Sequence, residues 1–255
     1  MTLGLPLSTM YAFVLALARV SGLIAFLPVP GIRDAASPIR IVLALSITFA
    51  LFPVWPSLPN ELASMPQLAA WAFLEAGFGL AAGLAVAFLT EAFQLAMQFL
   101  GLQAGYGYAL TIDPTSQADS GVLQVITMLM TSLLFFAFGV DRELLRVLAA
   151  SFQKFPAGSW APAAASLDGI VRLGAGMFSF GLRLAMPVIA LVLLIDVALA
   201  LLGRMQQQLQ LLSLAFPIKM LAALAMLAIL APALARLFQS ASAQTMSALW
   251  RVAGL

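Results

Sequence analysis

Long apolar runs follow one another along this sequence, separated by short breaks rich in proline, glycine or charge. The first run extends from about Leu7 to Leu27 and stops at Pro28 and Pro30; a turn holding Arg33, Asp34 and Pro38 follows. The second covers about Ile39–Phe52 and ends in Pro53, Pro56 and Pro59. Proline removes a helix hydrogen bond and blocks the preceding turn, so these are credible stops. A long helical stretch then runs from about Gln67 to Leu100, and a glycine-rich loop, Gly101–Gly121, comes after it. Val122–Val140 is apolar, and the pattern continues the helix through Asp141–Phe152 as an amphipathic extension. Beyond a loop at Gln153–Ser166, a second long stretch covers about Asp168–Leu202, with a kink expected at Pro187. The last strongly apolar helix is about Pro217–Phe238, followed by a milder amphipathic tail to Leu255.

Composition turns this pattern into a fold class. Of 255 residues, 63% are hydrophobic and 9% charged, against about 25% charged in ordinary soluble domains. So few polar groups cannot cover a soluble surface, so the remaining apolar surface must face lipid or partner subunits. The expected class is all-α: a polytopic membrane protein of long, kinked helical hairpins forming one domain over residues 1–255. The N-terminal MTLGLPLSTM has no positive region, so the first apolar stretch is expected to be retained and not cleaved as a signal peptide. The 12 basic residues are spread along the chain, with no basic stripe for nucleic acid. There is no Cys and no His. Disulfides and thiolate metal sites are thereby excluded, and the commonest metal ligand and general base are missing. No catalytic, cofactor or metal site is read from the residues.

A span needs roughly 20 apolar residues, and few windows reach this without a charge. Ser120–Val140 does; Arg19 interrupts the first run, Glu75 and Glu91 the third, and Arg172, Arg183 and Asp196 the later long one. Charges placed so usually face protein or water. The acids suit proton relay, or equally ion pairs with Arg19, Arg172 or Arg183. Loop charges conflict with a regular topology. The N-terminus and the 53–66 loop lack Lys and Arg and read as outside. The loops with Arg33 and Arg40, and with Arg142, Arg146 and Lys154, read as inside. Two apolar segments lie between the 53–66 loop and residue 141, and two ordinary spans would return the chain to the same side. The conflict points to helices packed in an assembly.

Three further features stand out. Gly79 and Gly83 form a GxxxG, the spacing that lets helix backbones approach closely in a membrane. Residues 101–121, GLQAGYGYALTIDPTSQADSG, lack the GK[ST] of a phosphate cradle, and their length allows either a functional loop or a plain connector. Residues 203–219, GRMQQQLQLLSLAFPIK, are polar between two apolar helices, as a connecting loop or as a contact surface for another subunit.

These stretches carry a resemblance over essentially the whole chain. ARVSGLIAFLPVPGIRDAASPIR supplies Arg19, Gly22, Pro28, Pro38 and Arg40; EAGFGLAAG supplies Glu75, Gly79 and Gly83. GLQAGYGYALTIDP supplies Gly101, Gly105, Asp113 and Pro114, and LLRVLAASFQKFP a Ser-Phe…Pro element. QQQLQLLSLAFPIK supplies Gln207, Phe216, Pro217 and Lys219. In this order the motifs resemble the FliR family of type III export gate proteins. The chain departs from the family pattern at Gln206, where a proline is expected, at Gln210–Leu212, where Asn-Val-Phe is expected, and at Val140–Asp141, which carry no His.

The resemblance implies a non-enzymatic subunit of a helical export gate in the bacterial inner membrane, at the flagellar basal body. Its implied partners are FliP, FliQ and an FlhB-like subunit, together with unfolded secreted substrates and membrane lipid. It implies that the loop at about 104–121 plugs the pore, which puts Gly105, Tyr106, Gly107, Tyr108, Asp113 and Pro114 in the plug. It makes Gln207, Phe216, Pro217 and Lys219 a cytoplasmic-side partner loop, Gly79 and Gly83 helix-packing positions, and Arg19, Glu75, Glu91, Arg183 and Asp196 buried charges. Phe216–Pro217 favours the flagellar over the injectisome version. Two other readings stay open: a stand-alone secondary transporter using Glu75, Glu91 and Asp196, and a membrane scaffold without a pore.

Overall fold

Each helix boundary follows from local chemistry. In a computed structural model, which describes residues 6–28, 36–56, 58, 64–106, 122–156, 158–160, 164–205 and 211–252, the described elements are helical. Helix α1 spans Leu7–Phe26, and Leu27 leaves it in extended conformation ahead of Pro28. Helix α2 spans Ser37–Ala50, starting two residues earlier than the expected Ile39. Pro38 sits in its first turn, where a missing N–H breaks no hydrogen bond. A 3₁₀ turn, Phe52–Val54, follows.

Helix α3, Met65–Ala104, is 40 residues long and passes through Gly101, where the sequence suggested a loop. Its actual stop is Gly105, whose φ is +86°. There Tyr106 N–H donates to the Gly101 carbonyl at 2.9 Å and Gly105 N–H to Leu102 at 3.3 Å. These are the two bonds of a Schellman cap. Helix α4 is Val122–Ala137. The continuous helix expected through residue 152 is instead broken at Gly139, φ +67°, and α5 restarts at Val140–Lys154.

Helices α6, Ala164–Met205, and α7, Leu211–Val252, have 42 residues each. Pro187 lies inside α6, and Pro217 and Pro232 inside α7. Pro217 is therefore not the start of the last helix; of the segment 203–219, residues 203–205 and 211–219 are helical.

Four of the described helices (α1, α3, α6 and α7) are long and apolar enough to cross a membrane, or five spans if α4 and α5 count as one broken span. The fold is thus all-α with multi-pass membrane helices.

The chain divides into two compact units. The first comprises Met1–Leu89, Phe135–Gly174 and Ala241–Leu255. Its core is a close crossing of α1 and α3 built on glycine. A Cβ on Gly79 would strike the Arg19 carbonyl, one on Gly83 would lie 2.6 Å from the Leu23 carbonyl, and one on Gly22 would strike the Ala76 carbonyl. Each obstacle is backbone, which cannot swing aside. Phe13 of α1 stacks against Phe49 and Trp55 at 5.4 and 5.5 Å, and the Trp55 indole donates to the Thr48 carbonyl.

The second unit comprises Thr90–Leu134 and Ala175–Ser240. Phe93 of α3 centres it, with ring centroids 5.6 Å from Phe180 of α6 and 5.3 Å from Phe238 of α7. Gly181 lets α6 approach the Ala92 carbonyl. On α4, Thr127, Thr131 and Ser132 return their hydroxyls to carbonyls four residues back. A helix without water at its side satisfies such groups in this way.

Candidate functional site

In the first unit a buried polar knot joins three helices and a loop. Arg19 and Glu75 are fully buried. Arg19 Nε donates to Glu75 Oε2, and Nη2 lies in ion-pair range of the same oxygen without the angle of a hydrogen bond. Nη1 donates to Ser151 Oγ at 2.7 Å, and the Ser151 hydroxyl donates in turn to the Leu148 carbonyl at 2.6 Å. The second Glu75 oxygen accepts the Gly158 N–H at 3.0 Å. The guanidinium carbon lies 5.0 Å from the Phe78 ring centre and 4.4 Å from that of Phe152. A charge pair taken out of water needs this many partners, since desolvation can exceed the Coulomb gain.

The loop that supplies Gly158 is held by aromatic packing. Trp160 meets Phe78 edge-on at 5.6 Å, and Gly158, φ +70°, leaves no room for a Cβ over Trp71.

In the second unit the end of α3 is anchored to α7. A Cβ on Gly105 would lie 2.6 Å from the Phe216 ring, and the Tyr106 hydroxyl donates to the Met220 carbonyl at 3.1 Å. Burial pushes the Tyr106 phenol above the ordinary tyrosine range, so it remains a neutral donor at pH 7. One turn away, Lys219 Nζ donates to Asp196 of α6 at 2.9 Å and sits 6.0 Å from the Phe216 ring centre.

The residues singled out in the sequence are distributed unevenly. Gly79 and Gly83 face α1. Arg19 and Glu75 pair with each other, while Asp196 pairs with Lys219, and Arg172 with Asp168 on its own helix. Glu91 is half-buried and engaged.

Two of the expected buried charges are not buried inside this chain. Arg183 is exposed, because the inward ridge of α6 is formed by Leu184, Ala185, Val188 and Val192 and Arg183 lies beside it. Asp196 keeps 38% of its side chain accessible. Phe216, Pro217 and Lys219 stand on a helix, not in a loop. Gly107, Tyr108, Asp113, Pro114 and Gln207 lie outside the described residues.

Sequence reasoning missed Ser151 and Gly158 as partners of the ion pair, and Met220 as the acceptor for Tyr106. The Ser-Phe…Pro element contained Ser151 and Phe152, which was the available signal.

These helices and their buried charges span nearly the full chain, and so does its likeness to known proteins. Residues 10–245 match the sequence profile of the bacterial export proteins, family 1. The chain belongs to that family. Among its relatives, the flagellar biosynthetic protein FliR of Escherichia coli K12 is 31% identical over 220 residues, covering 86% of this chain and 84% of the relative. The FliR of Pectobacterium carotovorum is 28% identical, covering 84% and 82%. That of Bacillus subtilis is 27% identical, covering 85% and 84%. As a family member with multi-pass helices and flagellar relatives, the chain is a membrane component of a flagellar protein export apparatus.

Proposed function

We propose that this chain is a subunit of the flagellar type III export gate. It forms, with FliP and FliQ, a pore through which unfolded substrates cross the inner membrane, with FlhB assembling on the complex. Here the protein acts sterically. The loop at 104–121 occludes the pore and moves aside for substrate. The observation that carries this reading is the family match from residue 10 to 245, which leaves no room for a separate transport module within the match.

Two features of the chain support it. The α6 and α7 windows are 22% and 11% buried within the chain, so their apolar faces require lipid or partner subunits. The entry to the loop is fixed by a Schellman cap and by Tyr106, which gives it a firm base to move from. Glu75 and Asp196, two of the three acids an ion-coupled transporter would use, are engaged in ion pairs.

Two measurements test the proposal. The tagged chain, purified in mild detergent from its own host, should carry two other small helical membrane proteins identified by mass spectrometry as FliP and FliQ; recovery as a monomer sinks the gate. Deleting residues 107–121 should raise passive leakage of small ions through the assembled complex, and unchanged permeability removes the plug.

A further inference from the structure

We propose that the face of α6 around Arg183 docks on a helix of a different chain, and that this helix supplies an Asp or Glu carboxylate to the Arg183 guanidinium. This deepens the gate reading and rests on it only in needing a partner chain.

In the second unit, Arg183 shares one face of α6 with Gly176, Ser179, Met186, Pro187, Ala190 and Leu194, which lie at helical spacings from it. All of these residues are exposed. No described residue forms an ion pair or hydrogen bond with the Arg183 side chain.

Neither lipid nor water suits this face. Residues 173–195 hold one charge, Arg183, over a length that crosses a hydrocarbon core. Arg183 lies next to the midpoint of that run, roughly 15–18 Å from either end. That is too deep for its side chain to snorkel out of lipid. An aqueous lumen would be lined with polar groups. Ser179 is the one other polar side chain on the face, and it returns its hydroxyl to the Gly176 carbonyl at 3.0 Å. The face therefore suits a dry contact, and a guanidinium in a dry contact needs a counterion.

The backbone makes a second demand at the same residue. Pro187 has no N–H, so the Arg183 carbonyl lacks the donor it would meet four residues on. Hydrocarbon cannot replace that donor, whereas a hydroxyl or amide on a packed helix can. There is room for such a helix to approach, since a Cβ on Gly176 meets nothing within 4 Å and Ala190 is small.

A second copy of this chain is the wrong partner. The acids described within its long apolar helices are already engaged: Glu75 with Arg19, Asp196 with Lys219, and Glu91 as well. The carboxylate must come from another protein.

The test keeps Arg183 in place at first. A photocrosslinking residue substituted for Met186 would be activated in native membranes, and the crosslinked peptide sequenced by mass spectrometry. The expected product is a peptide of another membrane protein with an Asp or Glu within one helical turn of the crosslink. Arg183→Glu should then cut retention of that protein through detergent purification by about tenfold or more, and exchanging the partner's acid for Arg should restore most of it. Crosslinks confined to lipid, to a second copy or to a segment without an acid overturn the proposal. So do the lack of any crosslink, full retention in Arg183→Glu, and failure of the reversed pair to restore binding. If the complex purifies intact but shows no acid opposite Arg183, this proposal alone falls and the gate reading stands; a chain recovered as a monomer defeats both.

Discussion

Arg19 shows how one residue sets the terms for its surroundings. Truncating one member of a buried pair leaves the other charged and unpaired, at about 3–5 kcal/mol, whereas removing both is often nearly neutral. Arg19→Leu and Glu75→Leu should therefore each destabilise the chain by that amount in SDS titration. The double variant should recover most of the loss, and simple additivity would show that the two do not act as a pair. The glycines give a second contrast. Gly79→Ala drives a Cβ into the Arg19 carbonyl, whereas a Cβ on Gly176 meets nothing within 4 Å. Gly79→Ala should lower the melting temperature in detergent, and Gly176→Ala should leave it unchanged or raise it, because alanine is the better helix former by about 1 kcal/mol. Arg19, Glu75, Gly79 and Gly83 all stood out in the sequence as charges or small residues inside apolar runs. Their pairing did not. Three arginines were available, and Ser151, 132 positions from Arg19, looks like any serine on an amphipathic helix.

At the scale of elements, proline-marked ends were legible and glycine-marked breaks were not. Pro28 and Pro38 lie where a helix must stop or start, because the constraint is local. Gly101, Gly105 and Gly139 look alike in sequence, yet only the last two take positive φ; which glycine ends a helix depends on the bonds the next residues make. Pro217 misled for the opposite reason, since α7 begins at Leu211 and runs helical through it. The two breaks make a prediction. Forcing an L-residue into the left-handed region costs about 1–2 kcal/mol. Gly139→Ala should show that loss alone, because its Cβ meets nothing within 4 Å. Gly105→Ala adds a clash with the Phe216 ring, so it should be the more damaging. Shortening that ring with Phe216→Leu should rescue part of Gly105→Ala and none of Gly139→Ala. Equal rescue of both would discard the contact as the cause.

For the whole molecule, length and exposure set the constraints. At about 1.5 Å per residue, the 40 residues of α3 have a contour of about 60 Å, twice a bilayer's hydrocarbon core. Such a helix extends well beyond a single hydrocarbon core. The sequence has no cysteine, so single reporters can be placed at will. A water-soluble maleimide on native membranes should label Arg142→Cys and spare Leu194→Cys, Leu221→Cys and Ile229→Cys, whose parent residues are 67%, 68% and 73% exposed in the chain alone. Labelling of all four alike would mean that the α6 and α7 surfaces meet water. The buried knot also orders events in time. Arg19 is synthesised 56 residues ahead of Glu75 and 132 ahead of Ser151. At about 5–20 residues per second, the arginine is without its counterion for roughly 3–11 s. During that interval α1 is a poor substrate for lateral release into lipid, so the insertion machinery must hold it until α3 has emerged.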